Sequence, residues 1–168
     1  GNSSGNQVTP YHITTLSSIV AVAARDTHSL ALTSDGRVFG WGGNAARQLG
    51  LGHNIDQLLP VEIPGLSNIV AIAAGDSNSF GVGNTGQLYG WGSNGNSRLS
   101  LPSTVTFQST PVVLSLTDVV AVAPGFAFTL ALTKDGSVFA WGASGSGQVG
   151  QFYATVVQPT QIAGLHAI

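Results

Sequence analysis

The first clear apolar run of this chain occupies residues 19–24 (Ile-Val-Ala-Val-Ala-Ala), and it returns at 69–74 and, shortened, at 119–123. Each run is too brief for a buried helix and rich in β-branched residues, so it reads as a strand covered on both faces, with alanines that admit close neighbours. A second apolar stretch at 29–33 ends in Ser34-Asp35-Gly36-Arg37. Asp-Gly supplies the positive φ values of a tight hairpin, and the chain is expected to return through 37–41. Asn84-Thr85-Gly86 and Lys134-Asp135-Gly136 repeat that turn. After Trp41-Gly42 comes a polar Gly/Asn loop, then a longer connection to a last short strand at 60–63. Pro60 suits a strand start or a sheet edge, where a missing N–H costs the ladder nothing.

The pattern is a repeat. Trp41, Trp91 and Trp141 lie 50 residues apart, as do Gly36, Gly86 and Gly136. Across residues 19–52, 14 positions are identical in the second copy and 16 in the third, concentrated in apolar residues and glycines, so the copies share a fold and differ in their loops. Four short antiparallel strands at this period describe a propeller blade; the coils of a β-helix are shorter and lack hairpins. The expected fold is all-β: three four-stranded antiparallel β-propeller blades at 10–168, forming a partial or oligomer-completed propeller, preceded by a leading loop or linker at 1–9.

The segment IVAVAARDTHSLALTSDGRVFGWGGNAARQLGLG resembles the repeat of the regulator of chromosome condensation family. The resemblance covers residues 10–168 and implies a propeller that in the family usually has seven blades, a number from which three tryptophan units depart. A Pro-Leu-Ile/Val element occurs four times, at Pro10, Leu16, Ile19; Pro60, Leu66, Ile69; Pro111, Leu116, Val119; and Pro159, Leu165, Ile168. A fourth blade is therefore expected to begin where the chain stops. A stack of three blades also leaves two apolar faces without neighbours, which suits further blades in a parent chain or contact between copies.

Composition narrows the function. Charged residues make up 7% of the chain against about a quarter in ordinary soluble domains. Surface polarity must then come from Ser, Thr, Asn and Gln. A net charge of −2 without a polybasic run gives nucleic acid no electrostatic footprint, and no apolar run approaches the roughly 20 residues of a membrane helix. The absence of cysteine excludes disulfides and thiolate chemistry. Low charge, a glycine start and the absence of methionine lean toward a secreted or cell-surface protein, with a cytoplasmic or nuclear location as the alternative.

No constellation of catalytic residues emerges. Gly-x-Gly-x-x-Gly occurs at 81–86 and 90–95, inside strand-turn repeats rather than before a helix. Asp35 and Asp135 belong to hairpin turns, and His12, His28, His53 and His166 share no ligand spacing. No enzyme activity, metal or cofactor is expected. The candidates for partner binding are Arg25, Arg47 and Arg98 in inter-strand loops; His28, which the family resemblance makes mainly structural; and the aromatics peculiar to the third copy, Phe126, Phe128, Phe152 and Tyr153. For Phe126 and Phe128 the favoured expectation is packing against an adjoining blade, because phenylalanine is more often buried than displayed, with the binding patch as the alternative. The leading reading is a scaffold that binds an unidentified protein partner through variable loops. The alternatives are self-assembly of incomplete propellers into a ring or filament, and guanine-nucleotide exchange on a small GTPase, which the family resemblance implies.

Overall fold

A computed structural model of the chain describes residues 9–151 and 155–165. The first repeat forms β1 (Ile19–Arg25), β2 (His28–Thr33), β3 (Val38–Gly42) and β4 (Gln57–Glu62). The second forms β5 (Ile69–Ala74), β6 (Asn78–Gly83), β7 (Leu88–Ser93) and β8 (Phe107–Val113), and the third β9 (Val119–Pro124), β10 (Phe128–Thr133), β11 (Val138–Ala143) and β12 (Thr155–Gln161). Each set is one antiparallel sheet with its strands in chain order. Among the described residues the only helical element is a 3-10 turn at Gly95–Ser97.

Two expectations need correction. The fourth strand starts at Gln57, so Pro60 lies within it, and Pro111 and Pro159 lie within β8 and β12. The sheet tolerates them because the fourth strand is its edge. The first strands are also not covered on both faces. Ile19 pairs with Thr33 and Ala21 with Leu32, so Val20 is an extra, bulged residue, and Val20, Val22, Val70 and Val120 are exposed. These strands adjoin one another in sequence, β5 on β1 and β9 on β5, and pack on one side only.

The core lies between blades. Leu30, Leu32, Val38 and Ile63 of the first blade meet Ile69, Ile72 and Trp91 of the second. Phe80, Val82, Leu88 and Leu114 of the second meet Val119, Val122 and Trp141 of the third. Every blade thus has a forward face and a receiving face, and the receiving face of the first and the forward face of the third stay open among the described residues. Trp41, Leu130, Leu132 and Val138 are accordingly only half-buried.

A belt of backbone hydrogen bonds ties the hairpins to the blade starts: Ser34 N to Ser18 O (2.9 Å), Ile69 N to Gly36 O (3.2 Å), Asn84 N to Asn68 O (2.9 Å), Val119 N to Gly86 O (3.0 Å) and Lys134 N to Asp118 O (2.8 Å). Gly36 needs its missing side chain here, because its φ is +82° and a Cβ would lie 2.9 Å from Asn68 Cα.

Candidate functional site

Antiparallel strands in chain order send the first-to-second and third-to-fourth loops out at the same end of each blade. The two loops are joined there by Gly43 N to Thr27 O, Ser93 N to Ser77 O and Ala143 N to Ala127 O, each 2.8 Å. All of the described candidate residues lie at or beside this end.

Arg25 is exposed at the close of β1, with Nη1 3.5 Å from Pro124 O across the second blade. Two residues beyond Pro124, Phe126 is 65% exposed, at the repeat position that Asp26 and Asp76 hold in the other blades. A cation, an exposed aromatic ring and two carboxylates therefore surround the inner end of the stack. Arg47 lies farther out, with positive φ and its guanidinium 5.1 Å from the centroid of the Phe107 ring.

His28 and Arg98 lie inside blade interfaces. His28 is 2% exposed, and its Nε2 is 2.9 Å from Ser79 Oγ. Ser79 commits its single proton to Gln48 O at 2.8 Å, which leaves His28 Nε2–H as the donor. Burial pushes the His28 pKa down to about 4, against the opposing pull of Asp26 and Asp76. Arg98 is 8% exposed and donates from Nε to Gly95 O at 2.9 Å. At the same repeat position, Gln48 and Gln148 accept backbone N–H groups from Ala46 and Ser146 through Oε1, which a guanidinium cannot do. Burial also lowers the pKa of Arg98, with Asp76 opposing.

Phe128 is half-buried, its ring folded over Gly125. It occupies the position where His28 and Asn78 are buried against a following blade. Phe152 and Tyr153 lie outside the described residues.

The sequence reading missed what shapes the long loops. Asn44 Nδ2 donates to His53 O (3.0 Å) and Ile55 O (3.1 Å), while its Oδ1 accepts Leu49 N (3.0 Å). Asn94 repeats this with Val105 O (2.9 Å) and Leu99 N (3.1 Å). An asparagine three residues after a tryptophan in two copies was the available signal. Among the described residues, no three His, Cys, Asp or Glu side chains gather at metal-binding distance, and no helix is long and apolar enough to cross a membrane.

The profile of the regulator of chromosome condensation (RCC1) repeat matches residues 35–82 and 85–132, and a second profile of the same repeat matches 19–48, 69–98 and 119–148. The ultraviolet-B receptor UVR8 of Arabidopsis thaliana is 57% identical over 30 residues, 18% of this chain and 7% of that protein. Human WBSCR16 superposes with a TM-score of 0.76 at 27% identity, over 86% of this chain and 38% of the other. Prp20p from Saccharomyces cerevisiae, described with its binding properties to Gsp1p and histones, superposes with a TM-score of 0.82 at 25% identity, over 95% of this chain and 42% of its own. Yeast RCC1 (Prp20) bound to Kap60 gives 0.83 at 24% identity, over 95% and 41%. The chain thus spans well under half the length of these relatives.

Proposed function

The chain belongs to the regulator of chromosome condensation repeat family, and from that premise we propose that it is a non-catalytic propeller scaffold that binds a protein partner through the loop end described above. The observation that carries this reading is Phe126, a ring 65% exposed where the other two copies place aspartate. Large aromatics with an adjacent arginine are the usual anchors of protein interfaces, and Arg25 reaches the same loop. The strands hold these loops on rigid sheets, so loop residues vary without cost to the fold. Prp20p, on which this chain superposes, is described with its binding properties to Gsp1p and histones, and its complex with Kap60 has been solved. Those partners are proteins, and a protein is the class of partner proposed for this chain.

Site-specific photo-crosslinking in the source cells tests the reading. A photoreactive phenylalanine at position 126 is expected to trap a discrete protein, competed by excess unmodified chain and lost in Arg25→Ala. The same residue at Lys134, in a hairpin at the opposite end, should trap none. Equal trapping at both positions, or none at 126, overturns the proposal.

A further inference from the structure

Asn94-Gly95 is the only Asn-Gly dipeptide in the chain. Such a pair can modify itself, because the glycine nitrogen attacks the side-chain Cγ of the asparagine and glycine has no Cβ to hinder the approach. Asn94 is 3% exposed and holds the long loop of the second blade together. Its Nδ2 shares two N–H groups among Leu101 O (3.2 Å), Pro102 O (3.2 Å) and Val105 O (2.9 Å), and its Oδ1 accepts Leu99 N (3.1 Å). Neither of the other copies has the reactive pair. Asn44 makes equivalent bonds but is followed by Ala45, whose methyl group crowds the attacking nitrogen, and the third copy has Ser144, which carries no amide.

The folded loop blocks the reaction at each of its atoms. Asn94 has a ψ of 16°, so the Gly95 nitrogen nearly eclipses the backbone nitrogen of Asn94 about the Cα–C bond, whereas ring closure requires it to eclipse Cβ. The Gly95 N–H donates to Ser93 Oγ at 3.2 Å, and the Nδ2 that must leave is committed to the loop carbonyls. Turning ψ to the reactive angle also breaks the bond from Ser97 N to Asn94 O, now 2.8 Å.

We propose that Asn94 is a self-modification site, kept unreacted by the fold, that reacts once the loop at 94–106 opens and makes that opening irreversible. In the opened loop the Gly95 nitrogen bonds to Cγ, the Cγ–Nδ2 bond breaks, and ammonia leaves with the proton given up by Gly95 N. Water then adds to the cyclic imide and opens it at one of its two carbonyls, leaving aspartate, or isoaspartate with the backbone routed through the side chain. Aspartate would turn a buried carboxylate toward the carbonyls of Leu101, Pro102 and Val105, which need donors. Isoaspartate would lengthen the backbone by one carbon. Both products undo the turn that places Leu99, fully buried, and Arg98 O. Arg98 O accepts Thr129 Oγ1 and Trp141 Nε1 at 2.9 Å each, as Gln48 O accepts Ser79 Oγ and Trp91 Nε1 between the first two blades. The modification therefore marks a chain that has opened between its second and third blades, and it does not depend on the partner-binding reading.

The test incubates the chain folded and in guanidinium chloride at mildly alkaline pH and maps its peptides by mass spectrometry, with Asn94 resolved from Asn96. Conversion at Asn94 is expected to be at least about tenfold slower in the folded chain, because only its opened fraction reacts. The converted chain, returned to buffer, should unfold at lower denaturant, with faster hydrogen exchange at the Leu99 amide and the Trp141 indole. Gly95→Ala copies the first repeat, and its Cβ would lie in ordinary contact, 3.4 Å from Ser93 Oγ and Arg98 Nη2. It should slow conversion in denaturant several-fold without loss of stability. Equal rates in the folded and unfolded chain, no conversion in denaturant, or a converted chain with an unchanged midpoint overturns the proposal. Conversion of Gly95→Ala at the unmodified rate overturns the route through the Gly95 nitrogen.

Discussion

Trp91 and Trp141 are fully buried with their indole nitrogens bonded to a carbonyl, whereas Trp41, in the same place of its own sheet, is half-buried. The leucines tell the same story in the other direction: Leu30 and Leu32 are sealed by a following blade, and Leu130 and Leu132 are only half covered. Local sequence is nearly constant across these pairs, so the neighbour decides the burial. In a stacked repeat most apolar area is removed from water between units, and stability is chiefly a sum over interfaces. The three tryptophans therefore measure their interfaces.

The largest expected effect follows directly. Trp91→Ala or Trp141→Ala removes a fully buried indole and leaves Gln48 O or Arg98 O with one donor fewer, a loss of about 3–5 kcal/mol. Trp41→Ala should cost less, about 1–2 kcal/mol, since part of its surface is already in water. Urea denaturation of the three variants checks this. An equal loss at Trp41 in dilute solution would break the comparison, and a loss at Trp41 that grows with protein concentration would sharpen it, because a second copy would then be covering the ring.

The two closed interfaces also differ from each other, at the position held by His28 in one and Asn78 in the other. The folded-state pKa of His28 is about 4, below its ordinary 6.5, so between those values the unfolded chain binds the proton and the folded chain does not. Its contribution to stability is whole above pH 6.5 and falls as the pH drops toward 4, by up to about 3 kcal/mol. Asp35 and Asp135 are held below the ordinary carboxylate range by the Thr33 and Thr133 hydroxyls, so their contribution is lost only at lower pH. His28→Asn, which copies the second blade, should flatten the slope between pH 6.5 and 4 in urea midpoints. An unchanged slope would show that the first interface opens before the histidine is protonated.

The blades were legible in the sequence because their signals are local. Asp35-Gly36 fixes a hairpin, the tryptophan period fixes the repeat, and the apolar runs fix the first two strands. Residues whose roles depend on the neighbouring unit were not legible. Arg98 looked like a loop cation and is an interface residue, because its carbonyl rather than its charge meets Trp141. Val20 looked like a strand residue covered on both faces and is a bulge, because register is set by the pairing of Ile19 and Ala21 with β2. Ser18, Asn68 and Asp118 take positive φ at the blade starts, and only the belt of hydrogen bonds they serve explains it. Arg25 and Phe126 belong to different repeats, and only the stacking of the blades brings Arg25 to the loop that carries Phe126.

The smallest effect separates the contact between blades from the backbone geometry that accompanies it. Gly36 and Gly65 both have positive φ, +82° and +77°, so alanine at either carries the same left-handed penalty of roughly 1–2 kcal/mol. Their surroundings differ. A Cβ at Gly65 meets nothing within 4 Å, whereas at Gly36 it would lie 2.9 Å from Asn68 Cα and Ile69 N, backbone atoms of the next blade. Relief at Gly36 requires the hairpin to move off the start of β5, which stretches the Ile69 N to Gly36 O hydrogen bond, already the longest in the belt at 3.2 Å. Gly36→Ala should therefore cost more than Gly65→Ala by an amount of the order of one net hydrogen bond, about 1 kcal/mol. The difference should also appear as faster hydrogen exchange at the Ile69 amide in Gly36→Ala alone. Equal losses, with Ile69 equally protected in both variants, would mean that the hairpin contact contributes nothing to holding the first two blades together and that side-chain packing around Trp91 does so alone.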